Sequence, residues 1–255
     1  MTMHYPLLVP RILERARALF PNKEIVTRVG EDTHRYTYRD LAQRVARLSN
    51  ALSSLGVDAG NRVGTFAWNT YRHLEAYFAA PAMGAVVHTI NIRLAAEDIV
   101  YIINHAADKV LLIDPDLAPI IEELAPKLES VEYFIIMTGD PEFSTTLPSA
   151  HNYEELLSQS SDQYTPVKLD EYAPMGLCYT SATTGRPKGV MYTHRGVYLH
   201  SMTECMADTM GLCERDRVMA IVPMFHANCW GLPYSCTMAG STQVLPGVRP
   251  DPKVI

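Results

Sequence analysis

The stretch CYTSATTGRPKGVMYTHRG, residues 178–196, decides how the rest of the chain is read. Thr180, Ser181, Thr183 and Thr184 bring four hydroxyls together, broken only by Ala182, and Gly185 and Gly189 bracket Arg186, Pro187 and Lys188. A phosphate group wants clustered N–H and O–H donors, a cation and little side-chain bulk. The hydroxyls supply donors, the glycines let the backbone approach closely, Lys188 supplies a point charge and Arg186 offers a second. Met175–Tyr179 reads as a strand before the loop and Val197–Met210 as a helix after it, a setting that favours anion binding. Two better-known phosphate loops are excluded by spacing. A Walker loop needs Gly-x-x-x-x-Gly-Lys-Ser/Thr, but Pro187 precedes Lys188 and Gly189 follows it. Gly-x-Gly-x-x-Gly is absent as well. A plain Ser/Thr-rich surface turn has little use for four hydroxyls, two glycines and a lysine between two apolar elements.

Working outward, short apolar runs alternate with amphipathic ones. Thr37–Leu55 predicts a helix, with Thr37 as cap, Asp40 completing a capping box, and Leu41, Val45, Leu48, Leu52 and Leu55 on one stripe. Strands are expected at 62–67, 85–90, 109–113 and 133–137. Helices are expected at 70–83, interrupted or ended near Pro81, and at 95–106 and 117–128. Continuously apolar strands alternating with helices predict an α/β fold, with a mostly parallel sheet covered on both faces. The polar stretch 138–165 reads as a surface connection with one short helix near Tyr153–Leu157. It suggests a first subdomain over 1–165 and a second beginning at 166. Further strands are expected at 218–222 and 242–245, with 232–238 helical or irregular.

Composition bounds the function. The chain has 255 residues, 47% of them hydrophobic, with a net charge of −6. That charge disfavours extended contact with nucleic acid or an anionic membrane, and no apolar run is long enough for a membrane span. The five cysteines, Cys178, Cys205, Cys213, Cys229 and Cys236, include no Cys-x-x-Cys pair, so buried reduced thiols and a cytoplasmic location are expected.

Tyr179–Val190, Y-T-S-A-T-T-G-R-P-K-G-V, resembles the signature of the adenylate-forming (AMP-binding) superfamily, which includes the acyl-CoA synthetases. It departs from the family pattern at Ala182, where the family has glycine. Three other segments resemble family elements: Tyr36–Leu41, Gly84–Leu94 (GAVVHTINIRL, as in fatty-acid-type members) and Val222–Trp230 (VPMFHANCW). The resemblance covers the family's N-terminal portion. It implies a layered αβαβα large domain of parallel sheets flanked by helices. It also implies a ligase that activates a medium- to long-chain fatty acid with Mg·ATP as acyl-adenylate and then transfers the acyl group to coenzyme A. An aryl or short-chain acid, or a non-catalytic nucleotide- or acyl-binding module, stays open.

Residue by residue, the resemblance implies that Thr180, Ser181, Ala182, Thr183, Thr184, Gly185 and Lys188 hold ATP phosphates, with Thr180 near Mg²⁺. It implies catalytic roles for Lys188 and His226, and an acyl pocket and gate formed by His226, Ala227 and Trp230. His226 alternatively reads as a satisfied strand-end histidine and Trp230 as a core tryptophan. Met224 and Tyr234 read as core or pocket. His88, Asn91 and Arg93 read as structural or partner-facing. The family's later motifs, including the acid that completes its Mg²⁺ site, are not found in the sequence. The chain is therefore expected to be an N-terminal fragment, inactive alone, and a homodimer is an expectation by analogy.

Overall fold

A computed structural model describes residues 4–180 and 185–250. In chain order it contains α1 (Val9–Leu19), β1 (Glu24–Val29), β2 (Asp32–Thr37), α2 (Tyr38–Ser54), β3 (Arg62–Phe66) and α3 (Tyr71–Ala82). There follow β4 (Val86–Thr89), α4 (Ala96–Ala106), β5 (Asp108–Ile113), α5 (Ala118–Leu124), β6 (Tyr133–Ile136), β7 (Ala150–Asn152) and α6 (Tyr153–Ser158). The last elements are β8 (Pro174–Tyr179), β9 (Gly189–Thr193), α7 (His194–Glu204), β10 (Arg217–Met219), α8 (Leu232–Ala239) and β11 (Thr242–Leu245).

The expected α/β architecture is present. A seven-stranded sheet runs β7-β6-β5-β3-β4-β8-β9, parallel throughout except for the antiparallel edge strand β9. A four-stranded sheet runs β10-β11-β1-β2, in which β1 pairs with β11 in parallel and with β2 antiparallel. Both sheets draw strands from either side of residue 165. Two cores flank the larger sheet. On one side Ile99, Ile102 and Ile103 of α4 and Ile121 of α5 pack on Phe66, Leu111 and Ile113. On the other, α2 and α3 bury Leu41, Leu48, Leu52, Leu74 and Phe78 with Val63, Val87 and Leu112. Helix α3 touches strands of both sheets, which is why all but its Arg72 is buried.

Helix α2 begins as its capping box predicts. The Asp40 N–H donates to Thr37 Oγ1 at 3.3 Å, and the Thr37 N–H donates to Asp40 Oδ2 at 2.9 Å. Several boundaries differ from expectation. The helix expected over 117–128 is one turn of 3-10 helix, the short α5 and a second 3-10 turn, because Pro115, Pro119 and Pro126 each remove an N–H. Helix α3 continues through Pro81 to Ala82. The helix expected over 197–210 is α7, starting three residues earlier, where the Thr193 hydroxyl accepts from the Gly196 N–H at 3.1 Å, and ending at Glu204. Among the described residues no helix is long and apolar enough to cross a membrane.

Candidate functional site

The larger sheet changes direction around β3. Its chain connection runs to β4 on one side, then returns past β3 to β5 on the other. Parallel sheets bind ligands at the carboxyl ends of strands near such a reversal. Here those ends carry Asn69 after β3, Asn91 after β4 and Thr180 after β8.

The hydroxyl loop is a hairpin loop. Tyr179 in β8 pairs with Gly189 in β9, Cys178 with Val190 and Leu177 with Met191. The expected strand–loop–helix is therefore corrected: β9 stands between the loop and α7 in the chain. The residues after Gly189, Val-Met-Tyr-Thr, suit an edge strand, and only Thr193 caps a helix. The loop mouth closes on itself. The Thr180 N–H donates to the Lys188 carbonyl at 3.0 Å and the Lys188 N–H donates to Thr180 Oγ1 at 3.2 Å. The Thr180 hydroxyl accepts that bond, so its own hydrogen is available to a ligand. Gly189 is needed for close approach, since a Cβ there would stand 3.2 Å from the Tyr179 ring and 3.2 Å from Leu177 Cδ1. Gly185 has φ +111. Thr180, Gly185 and Lys188 are all exposed. Ser181, Ala182, Thr183 and Thr184 lie outside the described residues.

Helix α4 braces the loop base. The Tyr179 hydroxyl and His105 Nδ1 share a hydrogen bond of 2.7 Å, and the Arg186 guanidinium stands 4.9 Å over the Tyr101 ring. Arg186, expected to offer a second phosphate charge, thus faces an aromatic ring. His88, left open as structural or partner-facing, is fully buried and shares a 2.7 Å hydrogen bond with buried Asp108, so it is structural. Arg93 lies over the Phe225 ring, 5.7 Å away.

The second half of the site is Val222–Trp230. Asn69, buried after β3, staples it: the side-chain amide donates to the carbonyls of Ala220 at 2.7 Å and Val222 at 2.8 Å and accepts from the Met224 N–H at 2.7 Å. Met224 and Phe225 are buried, so His226 is turned outward. Its imidazole is exposed and makes no hydrogen bond among the described residues, unlike a satisfied core histidine. The chain then winds through a left-handed turn: φ is +44 at Ala227, +48 at Asn228, +53 at Cys229, +56 at Trp230 and +82 at Gly231. Each non-glycine residue in that region costs on the order of 1 kcal/mol. Trp230 is 57% exposed, which overturns its core reading. Met224 is core, and Tyr234 is fully buried yet lines a cavity.

Three clefts meet along this path. A narrow one by Asn91 and Thr89 and one of about 260 Å³ by Cys178 and Val190 share Tyr179, Thr180 and His226. The second meets, at Tyr192 and Ala227, a cavity of about 340 Å³ lined mainly by apolar surface of Val197, Trp230, Gly231 and Tyr234. His226 thus lines the two clefts at the loop mouth, and Ala227 beside it opens onto the apolar cavity. Burial pushes the Cys178 thiol up and that of Cys229 up to about 12, so neither is poised as a thiolate nucleophile. Among the described residues no group of three His, Cys, Asp or Glu could hold a metal ion. Asn69, Tyr192, His200 and Asn228 were not singled out by the sequence. Asn69 alone left a signal, as a polar residue just past a buried parallel strand.

The sequence profile of the AMP-binding enzyme family matches residues 13–255. The chain is 48% identical to a long-chain-fatty-acid–CoA ligase of Thermus thermophilus, over 94% of this chain and 43% of that protein. It is 42% identical to a medium-chain-fatty-acid–CoA ligase of Ectopseudomonas oleovorans, over 98% of this chain and 46% of that protein. The chain spans about half the length of the curated relatives it matches. In fold it is similar to an anthranilate CoA ligase in complex with anthranoyl-AMP, with a TM-score of 0.83 at 23% identity over 96% of this chain and 45% of that one. It is equally similar to a long-chain-fatty-acid-CoA ligase of Archaeoglobus fulgidus, with a TM-score of 0.83 at 22% identity over 96% of this chain and 48% of that one. With the profile matched over nearly its whole length, this chain belongs to the AMP-binding enzyme family.

Proposed function

We propose that this chain carries the phosphate- and acyl-binding portion of a ligase that activates a medium- to long-chain fatty acid with ATP and passes the acyl group to coenzyme A. The observation that carries this reading is the placement of His226 and Ala227. His226 lines the cleft at Thr180, and Ala227 stands where that cleft meets the apolar cavity at Trp230 and Tyr234. A fatty carboxylate needs that combination, an apolar slot for the chain opening beside donors for phosphate.

In-line attack of a carboxylate on the α-phosphate needs little proton transfer, so positioning and charge neutralisation dominate. Lys188 and Gly185, with Ser181, Ala182, Thr183 and Thr184, would hold the departing phosphates. The Thr180 hydroxyl would donate at the loop mouth. His226 would hold the acyl-adenylate oxygens at the junction of the clefts. Mg²⁺ would arrive bound to ATP. Thr180 is one neutral donor and does not make a metal site with the described residues, so no step is assigned to the metal.

The test is carboxylate-dependent ATP–pyrophosphate exchange, run over acetate, octanoate, palmitate and benzoate. It uses this chain and a longer ligase carrying it. Exchange by the longer protein alone, greatest with octanoate or palmitate, is expected. A benzoate optimum would move the substrate to aryl acids. No exchange with any acid would leave a binding module.

A further inference from the structure

The left-handed turn at Ala227–Trp230 is costly, so something must hold it. Two side chains from elsewhere in the fold do so. Asn228 is buried, and its Oδ1 accepts from Thr89 Oγ1 of β4 at 3.3 Å and from Cys178 Sγ of β8 at 3.0 Å. At the other end His200 of α7 donates from Nε2 to the Trp230 carbonyl at 2.9 Å. The same nitrogen lies 3.4 Å from Oε1 of Glu204, and the other Glu204 oxygen accepts from the buried Ser235 hydroxyl. The His200 ring lies so close to the turn that a Cβ on Gly231 would stand 2.6 Å from its Cδ2. Both pins are wall residues of the apolar cavity.

We propose that Asn228 and His200 are positioning residues that select acyl-chain length: they pin the left-handed turn and so fix where Trp230 stands across the apolar cavity. The proposal rests on the acyl reading of that cavity. Neither side chain reacts; each acts through the turn. Cys178 is one residue from Tyr179, whose pairing with Gly189 closes the phosphate hairpin, so the Asn228 pin also ties the turn to the strand that carries the loop.

The test uses this chain labelled with 5-fluorotryptophan, which has only Trp68 and Trp230 to report. Asn228→Gly leaves the backbone at ease in the left-handed region and removes only the amide. Thr89→Val with Cys178→Ala removes both donors to Asn228 without touching the turn. His200→Ala changes an exposed side chain, so folding is not at risk. In all three, the Trp230 fluorine resonance is expected to shift or broaden while that of Trp68 stays in place; unfolding would move both. Displacement of a fluorescent fatty acid by octanoate and palmitate gives the second readout. The ratio of their affinities is expected to change by at least about threefold. A Trp230 resonance unchanged in all three variants overturns the proposal, as does a moved resonance with an unchanged ratio. If no acid displaces the probe from the parent chain while Trp230 still responds, the acyl reading and the selection role fall together, and only the pinning of the turn stands.

Discussion

Asn69 makes three hydrogen bonds to backbone groups of Ala220, Val222 and Met224, all of them in or beside the segment that presents His226. Truncating it strands the Ala220 carbonyl and the Met224 N–H and leaves the Val222 carbonyl only the Cys229 thiol, and each stranded group costs about 1–3 kcal/mol. Asn69→Ala is therefore expected to lower stability by about 3 kcal/mol in urea unfolding. A loss below about 1 kcal/mol would mean that water replaces the amide. His226 is the opposite case. Its imidazole is exposed and makes no hydrogen bond among the described residues, so His226→Ala should change the stability read by urea unfolding by no more than about 0.5 kcal/mol. In a longer ligase that carries this chain, the same change should reduce acyl-adenylate formation by about tenfold or more. Equal losses of stability and turnover would return His226 to a structural role. The contrast explains what the sequence could show at this scale. Pro-x-Phe-His is a readable motif, whereas Asn69 gains its meaning only from a contact more than 150 residues away.

Local signals were legible where an element decides its own limits. Helix α2 has its cap, its acid at the third position and an apolar stripe, and it folds as those signals require. Thr37→Ala removes both the cap acceptor for the Asp40 N–H and the hydroxyl that donates to Asp40. The expected cost is about 1 kcal/mol, read as a lowered thermal midpoint. No change would show that Asp40 alone carries the helix start. Signals failed where another strand decides. The polar alternation of Asp32–Thr37 and the mixed pattern of Glu24–Val29 give little periodicity, yet they form a full hairpin because β1 lies beside β11. Helix α1, which buries Val9, Ile12, Leu13 and Ala16, has no side-chain cap to announce it. Strand β9 is short and exposed on its first three residues, so it reads as loop until β8 is placed beside it. That miss bears on the site, because it put a helix N-terminus where an edge strand stands.

Across the whole molecule the parallel architecture was readable because β3, β4, β5 and β6 carry mainly apolar runs without in–out alternation, a consequence of burial on both faces. The same burial traps ionisable groups whose chemistry no pattern shows, and these give the fold an opposed response to acid. Burial holds His73 and His194 down at about 4, from the usual 6.5. His73 is locked between Thr65 Oγ1 and the Trp68 carbonyl, each at 2.9 Å, and His194 Nδ1 accepts from the Val9 N–H at 3.2 Å. Burial lifts Asp114, which accepts from the Trp68 N–H at 2.7 Å, to about 7 from 3.8. A histidine lowered in the fold gives stability that is complete above the unfolded value and lost as pH falls through 6.5 towards 4. An aspartate raised in the fold gives stability that is complete below its unfolded value and lost as pH rises through 3.8 to about 7. Each group is worth on the order of 3 kcal/mol across its window. Urea unfolding at pH values from about 4 to about 7 separates the two signs. His194→Gln keeps an acceptor for Val9 and cannot be protonated, so the parent should lose roughly 3 kcal/mol relative to it on acidification. Asp114→Asn keeps an acceptor for Trp68, and the parent should gain a similar amount relative to it over the same range. Parallel curves for the parent and both variants would show that neither group changes its proton affinity on folding, and burial would then not be what sets the acid response of this fold.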